Sequence, residues 1–424
     1  MADVELQETK RPIAPAKTGT PHLWQLDVLR AAAILIVFGY HLLGTSYGTF
    51  DLYGTNPGGH WNVIPTIHDR TLWFFYPFSL GQSGVVLFFV LSGFCIHHSI
   101  LQGRRKAMLQ GQDSPAFHYG AFMWRRAWRI LPAYFVALVG FFVLQRVLEY
   151  QPGERLLKGI GDFAWHVLMI HNLRPATFQS INPSFWSLGV EWQFYLIYPI
   201  FLLLRHGTGI KITILITAII SIAIQVFVSF RNLQTHPEIE TWNAFPLITW
   251  FNWCLGALIA EYWDRGQRFF RLPTIAVVGL WTLLLVFAGF DQDNDFVAGI
   301  TGMAWPVMFA ITLEMYLHVR RPAMRWERAV IPIGLCSYSL YLLHQPLLGP
   351  LLKGMHRWLH LPAIHWVDLT FTAALMLGVL VAISWVSYRW IETPGTRLGH
   401  RFARPVRGGT LVPSPPVLRG RRLG

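Results

Sequence analysis

Ten stretches of this chain, near 26–44, 83–101, 127–147, 185–204, 210–230, 242–263, 272–290, 297–317, 330–351 and 366–390, are strongly apolar. Each is long enough to fill the hydrocarbon core of a bilayer, which takes about 20 residues of helix. A water-soluble domain does not repeat such stretches along its whole length, and it is usually about a quarter charged. Here only 13% of the 424 residues are Asp, Glu, Lys or Arg, and the mean hydropathy is positive. Backbone amides in lipid must be satisfied within their own segment, so the expected fold is all-α: a polytopic membrane helix bundle. Residues 1–24 read as a polar tail without the apolar core of a signal peptide, which leaves the first span in the mature chain. The net charge of +13 resides at span ends and in the two tails, where orientation and anionic lipid account for it, so no nucleic-acid partner is expected. Cys95, Cys254 and Cys336 each lie in an apolar stretch and form no paired spacing.

Topology follows from the charges. With an internal N-terminus and ten crossings, the clusters Arg104/Arg105/Lys106, Arg125/Arg126/Arg129, Arg205/Lys211, Arg265/Arg268/Arg271 and Arg320/Arg321/Arg325/Arg328 all face the cytoplasm, and the acidic turn Asp291–Asp295 faces outward. An eleventh crossing at Phe163–Leu173 would invert every later cluster. That short segment, with His166 and His171, is therefore expected to be interfacial or re-entrant. Both termini are then cytoplasmic, with a membrane domain over 25–395 and a basic, disordered tail over 396–424.

The exceptions to apolarity locate the chemistry. Arg30 and His41 share one face of the first span, eleven residues and about 16 Å apart. Arg30 can snorkel while paired with Asp27, and His41 can be an ordinary interhelical hydrogen bonder; both can equally border a functional cavity. On the fourth span Ser187, Glu191, Tyr195 and Tyr198 recur at helical spacing, as do Ser337, Tyr341 and His344 on the ninth. His41, Glu191 and His344 fall in the same outer half, where an imidazole beside a carboxylate can take a proton from an alcohol. Arg126 and Arg129, one turn apart beside Arg125, make a fork suited to phosphate, although positive-inside anchoring also explains them. Trp61 and Trp73 stand among aromatics and glycines of the first outer loop, fit either for a sugar-binding rim or for the interface. The pairs and triples of histidines at 97/98 and 356/360/365 lack a completing carboxylate or cysteine, so no metal site is expected.

Five stretches in order, "LDVLRAAAILIVFGYH", "GVVLFFVLSGF", "RRAWRILPAY", "FWSLGVEWQFYLIYP" and "SYSLYLLHQP", resemble the bacterial acyltransferase 3 family over Leu26 to about Gly395. The resemblance implies an enzyme of the bacterial cytoplasmic (inner) membrane that O-acylates surface polysaccharides or small molecules, commonly with acetyl, from cytoplasmic acyl-CoA (acetyl-CoA by default). It implies His41 as the essential histidine with Arg30 as its arginine partner, Arg126 and Arg129 as the third-span pair, and Glu191 and His344 as later motif residues. Val86 departs from the pattern, since relatives often carry an acid there. No hydrolase-like domain is appended in this sequence, which leaves room for a periplasmic partner in trans. The resulting expectation is that the arginines bind donor phosphates, His41 acts as general base, Glu191 orients it, and His344 polarises the carbonyl or packs. Trp61, Trp73, Ser187, Tyr195 and Tyr341 are expected to border the acceptor. The competing reading is a proton-coupled secondary transporter built on the same buried His, Glu and Arg residues.

Overall fold

The computed structural model describes residues 22–46, 80–111, 117–148, 154–231, 239–290, 295–359 and 366–402. These residues form helices throughout, with no strand among them. In chain order they are α1 (Trp24–Ser46), α2 (Gly81–Leu109), α3 (Tyr119–Leu148), α4 (Glu154–Val167), α5 (Pro175–Phe178), α6 (Trp186–Thr208), α7 (Ile210–Phe230), α8 (Ile239–Asn243), α9 (Pro246–Asp264), α10 (Thr274–Phe290), α11 (Asp295–Leu317), α12 (Arg325–Leu335), α13 (Ser337–Leu359), α14 (Trp366–Ser387) and α15 (Thr393–Phe402). A π-helical turn, Tyr388–Glu392, joins the last two. Seven segments among the described residues are long and apolar enough to cross a membrane: Trp24–Ser46, Gly81–Leu109, Tyr119–Gln145, Pro183–Thr208, Ile210–Phe230, Thr241–Asp264 and Thr370–Arg401. The protein is a multi-span membrane helix bundle. The remaining expected runs are also helical, over α10, α11 and α13.

Two expectations change in detail. The run at 330–351 is not one straight helix, because it breaks at Cys336 between α12 and α13. The disordered tail expected from 396 begins inside a helix, since α15 extends to Phe402 and packs along α3. Residues from 403 onward lie outside the described residues.

Lipid tails are as apolar as leucine, so helices in a bundle associate by close packing rather than by escape from solvent. The tightest packing is between α2 and α9. A Cβ on Gly93 would collide with the Trp253 carbonyl oxygen, and one on Gly256 would collide with that of Val90. Backbone touches backbone there. Gly334 lets α12 approach α1 in the same way, against the Asp27 carbonyl oxygen. These contacts bury α1 and α2 at the centre. The outward surfaces of α7, α10 and α14 stay exposed and apolar, through side chains such as Leu215, Ile219, Val278, Leu283, Phe371 and Val386.

Buried carboxylates fasten the helix ends that carry the basic clusters. Glu261 on α9 accepts from Arg205 of α6 at 2.6 Å and from Arg265 at 2.5 Å, with His97 of α2 at 3.3 Å. Glu327 accepts the Met324 amide at 2.6 Å, capping α12, and is gripped by Arg321 and Tyr316. Glu314 accepts the Phe269 and Phe270 amides.

Inserting one methyl group at a backbone contact forces the helices apart, at a cost of about 1–3 kcal/mol. Gly256→Ala is expected to lower the thermal unfolding midpoint in detergent, whereas Gly279→Ala on α10, which faces open space, leaves it unchanged.

Candidate functional site

Because α1 is one continuous helix, Arg30 and His41 do lie on a common face, with His41 near its far end. His41 Nδ1 is 2.9 Å from the Val37 carbonyl oxygen one turn back. The His344 Nε2 of α13 is 3.2 Å from that same nitrogen, and the two rings meet edge to face at 4.9 Å. His344 is fully buried, and its own Nδ1 lies 2.9 Å from the Tyr341 carbonyl oxygen and 3.2 Å from that of Leu340.

A carbonyl oxygen can only accept, so each Nδ1 beside one must carry the proton. In the neutral pair His344 Nε2 is then an acceptor for His41 Nδ1–H. That leaves the lone pair of His41 on Nε2. These contacts fix both tautomers.

Glu191 stands elsewhere on the same polar strip. Its carboxylate accepts from Ser92 of α2 at 2.7 Å and from Tyr195 one turn along α6 at 2.6 Å. Ser187, one turn in the other direction, shares a 2.7 Å hydrogen bond with Tyr341, whose ring packs against His344. The strip thus joins α2, α6, α13 and α1. Tyr198, the next residue on that face, bonds His97 at the basic end instead.

At the basic end Arg30 has the expected Asp27 partner. It pairs with Asp27 at 2.9 Å and donates to Cys95 Sγ at 3.1 Å. Arg126 of α3 lies over the Phe122 ring at 5.5 Å and reaches Ser99 at 3.4 Å, and it interacts electrostatically with Tyr195, Arg129, Cys95 and Arg125. Arg129 is exposed and Arg125 half-buried. Thus α2 presents Ser92, Cys95 and, at its exposed end, Ser99 at helical spacing along one face that runs from Glu191 to the arginines. Sequence reading did not single out that face, although the i, i+3, i+7 pattern of small polar side chains in an apolar run was its signal. Trp61 and Trp73 lie outside the described residues. Among the described residues no three His, Cys, Asp or Glu side chains are grouped to hold a metal.

The segment expected to be interfacial forms the amphipathic helix α4 followed by an irregular stretch that packs over the site. Asn182 donates to the Leu342 carbonyl oxygen at 2.8 Å, and Ser184 bonds Gln345, on either side of His344. Two residues here, Met169 and Ile181, hold positive φ of 57° and 63°, a conformation unfavourable for Ile above all. Buried contacts hold the stretch in place, including Gln193 to the Met169 carbonyl at 3.1 Å and Gln145 to the Ile181 carbonyl at 2.9 Å.

Beneath it His166 and His171, both fully buried, stack with ring centroids 4.0 Å apart. Burial lowers the pKa of His166 to about 4 and that of His171 well below the usual imidazole range, the neighbouring His166 adding to the latter. The unfolded chain then binds more protons than the folded one between about pH 6.5 and pH 4, so stability falls as pH drops through that window. Thermal unfolding at pH 7.5 and pH 5 is expected to show this loss in the parent protein. His171→Phe is expected to shrink the difference.

A family model described as an acyltransferase domain matches residues 23–389. The peptidoglycan O-acetyltransferase OatA of Listeria monocytogenes serovar 1/2a is 25% identical over 74% of this chain and 51% of its own length. The O-acetyltransferase OatA of Staphylococcus aureus strain NCTC 8325 is 26% identical over 76% of this chain and 53% of its own. The chain spans about half the length of these curated relatives. No solved structure matches it.

Proposed function

The chain belongs to the acyltransferase 3 family, and we propose from this membership and from the His41 site that it is a membrane O-acyltransferase, acetyl being its cargo. The donor is a cytoplasmic acyl-CoA, and the acceptor is a hydroxyl of a cell-surface carbohydrate, with peptidoglycan or a related polymer the class favoured by the relatives' names. Ten crossings of the bacterial inner membrane, with both termini inside, put the arginine end at the cytoplasm and His41 toward the opposite face. The convergence of Arg205, Arg265 and Glu261 at one end of α6 and α9 supports that orientation, since these basic clusters then share a side.

The observation that carries the reading is the doubly anchored His41 ring. With Nδ1–H held by the Val37 carbonyl and His344, Nε2 is the basic nitrogen. It takes the proton of the acceptor hydroxyl as the oxygen attacks the thioester carbonyl. The C–O bond forms, the C–S bond breaks, and the proton passes from the imidazolium to the departing thiolate. His344 does what a carboxylate does in many triads: it fixes the tautomer and receives the hydrogen bond that strengthens when the imidazolium forms. Glu191 keeps Ser92 and Tyr195 oriented along the path. Arg125, Arg126 and Arg129 bind the donor's phosphates, with Arg30 on its way inward.

Transfer of radiolabelled acetyl in membranes tests this. His41→Ala is expected to insert normally and lose transfer by about 10²- to 10⁴-fold, the usual weight of a general base. Full transfer by that variant would refute the assignment. His344→Gln, which keeps an acceptor near His41, is expected to lose less than His344→Ala.

A further inference from the structure

We propose that the stretch from Met169 to Ser184 is a proton-operated latch over the transfer site: it closes only while the stacked rings of His166 and His171 are both uncharged, and their protonation releases its hold on α13 around His344. The proposal rests on the transfer reading above, since it names a regulation of that site.

Two imidazoles are buried here face to face. Their planes are 9° apart at a centroid distance of 4.0 Å, and both side chains are closed to solvent. His166 Nδ1 lies 2.8 Å from the Asp162 carbonyl oxygen, so it carries that ring's proton. His166 Nε2 and both nitrogens of His171 are buried and find no hydrogen-bond partner among the described residues. A further proton on either ring is then a buried charge with no acceptor, set against the other ring.

The surroundings are neutral. From α3 comes the Tyr134 hydroxyl, which donates to the His166 carbonyl at 2.9 Å, and from the Pro183–Phe185 turn comes the Phe185 ring. Thr177 of α5 donates to the His171 carbonyl at 2.8 Å. Gln193 of α6 and the Ala244 carbonyl after α8 hold Asn172, beside His171. Asp162 meets His166 through its backbone, and the exposed Arg174 lies over the Trp165 ring at 5.6 Å. Among the described residues no carboxylate bears on either ring.

The stretch is also strained. The positive φ of Met169 and Ile181 persists only under constraint from outside the segment. Just past Ile181, Asn182 donates to the Leu342 carbonyl at 2.8 Å and Ser184 bonds Gln345, so α13 is gripped on both sides of His344. At its start α13 is fixed independently: Glu392, which interacts electrostatically with Arg129, accepts the Ser339 amide at 3.0 Å, and Tyr338 donates to the Ile130 carbonyl at 2.9 Å. Opening the latch thus frees the His344 segment and leaves the basic end of the helix in place. Because burial lowers both pKa values in the closed form, protons favour the open form as pH falls below about 6.5. Each histidine that gains a proton raises the ratio of open to closed by about 20-fold between pH 7 and pH 5.

Hydrogen–deuterium exchange of the full chain in nanodiscs, corrected for the intrinsic pH dependence of exchange, reads the latch, and transfer of radiolabelled acetyl reads its effect. The parent is expected to lose protection over 169–184 by at least about 20-fold between pH 7 and pH 5, while α2 and α9 keep theirs. The double variant His166→Asn/His171→Phe, whose amide still donates to the Asp162 carbonyl, is expected to keep the stretch protected and to lose less transfer over that range. His171→Phe alone, the arm that remains if the double variant does not fold, is expected to lose less protection than the parent. The pH limb due to His41 is common to all three, so the difference between them isolates the latch. Equal loss in parent and variants, no loss in the parent, or loss spread over α2 and α9 overturns the proposal. So does an opened stretch that leaves the transfer profile of parent and variants identical. Opening that depends on the two histidines, in a protein that transfers no acetyl at any pH, upholds the latch and counts against the acyltransfer reading instead.

Discussion

Everything in this bundle depends on helices meeting backbone to backbone. Where Gly93 and Gly256 remove the side chains between α2 and α9, and Gly334 does the same between α12 and α1, the central helices lie too close for anything larger. Packing of that kind is strong because dispersion falls steeply with distance. It is also rigid, and it fixes the rotation of α1 and α2. With that rotation set, Arg30, Ser92, Cys95 and His41 must point where they do. A site built from side chains on four helices can hold ångström geometry only on such a frame.

The second layer of organisation is the handling of polarity inside an apolar medium. Arg30 is tied to Asp27 and Cys95, Glu191 to Ser92 and Tyr195, and His344 to two helix carbonyls and to His41. Using a turn-back carbonyl to set an imidazole's tautomer needs no second charge in the membrane, where charge is expensive. A histidine held by a histidine is chemically quieter than one held by a carboxylate.

The sequence made the components of this site legible and left their pairing obscure. Helical periodicity placed Arg30 with His41 and Ser187 with Glu191 and Tyr195 on common faces, because the period belongs to each helix alone. It could not say that His41 would meet His344, with Glu191 held by α2 and α6, because helix-to-helix rotation is decided by contacts distant in the chain. The carboxylates Glu261, Glu327 and Glu392 escaped notice for a related reason: each sits at a helix end, where an acid looks ordinary. The glycines after 394 misled most. In a stretch rich in Pro, Gly and Arg they read as disorder, yet Gly395 and Gly399 are the points at which α15 presses on α3.

The grip of Glu392 on Ser339 has a mechanical meaning. Ser339 lies in the first turn of α13, and His344 lies five residues further along the same helix. A short stretch of α-helix transmits displacement along its axis almost without loss, since each turn is locked by its own hydrogen bonds. The acid beside Arg129 and the ring that steadies His41 are therefore two points on one rod. The two points are separated by only five residues of that helix, about 7.5 Å of rise.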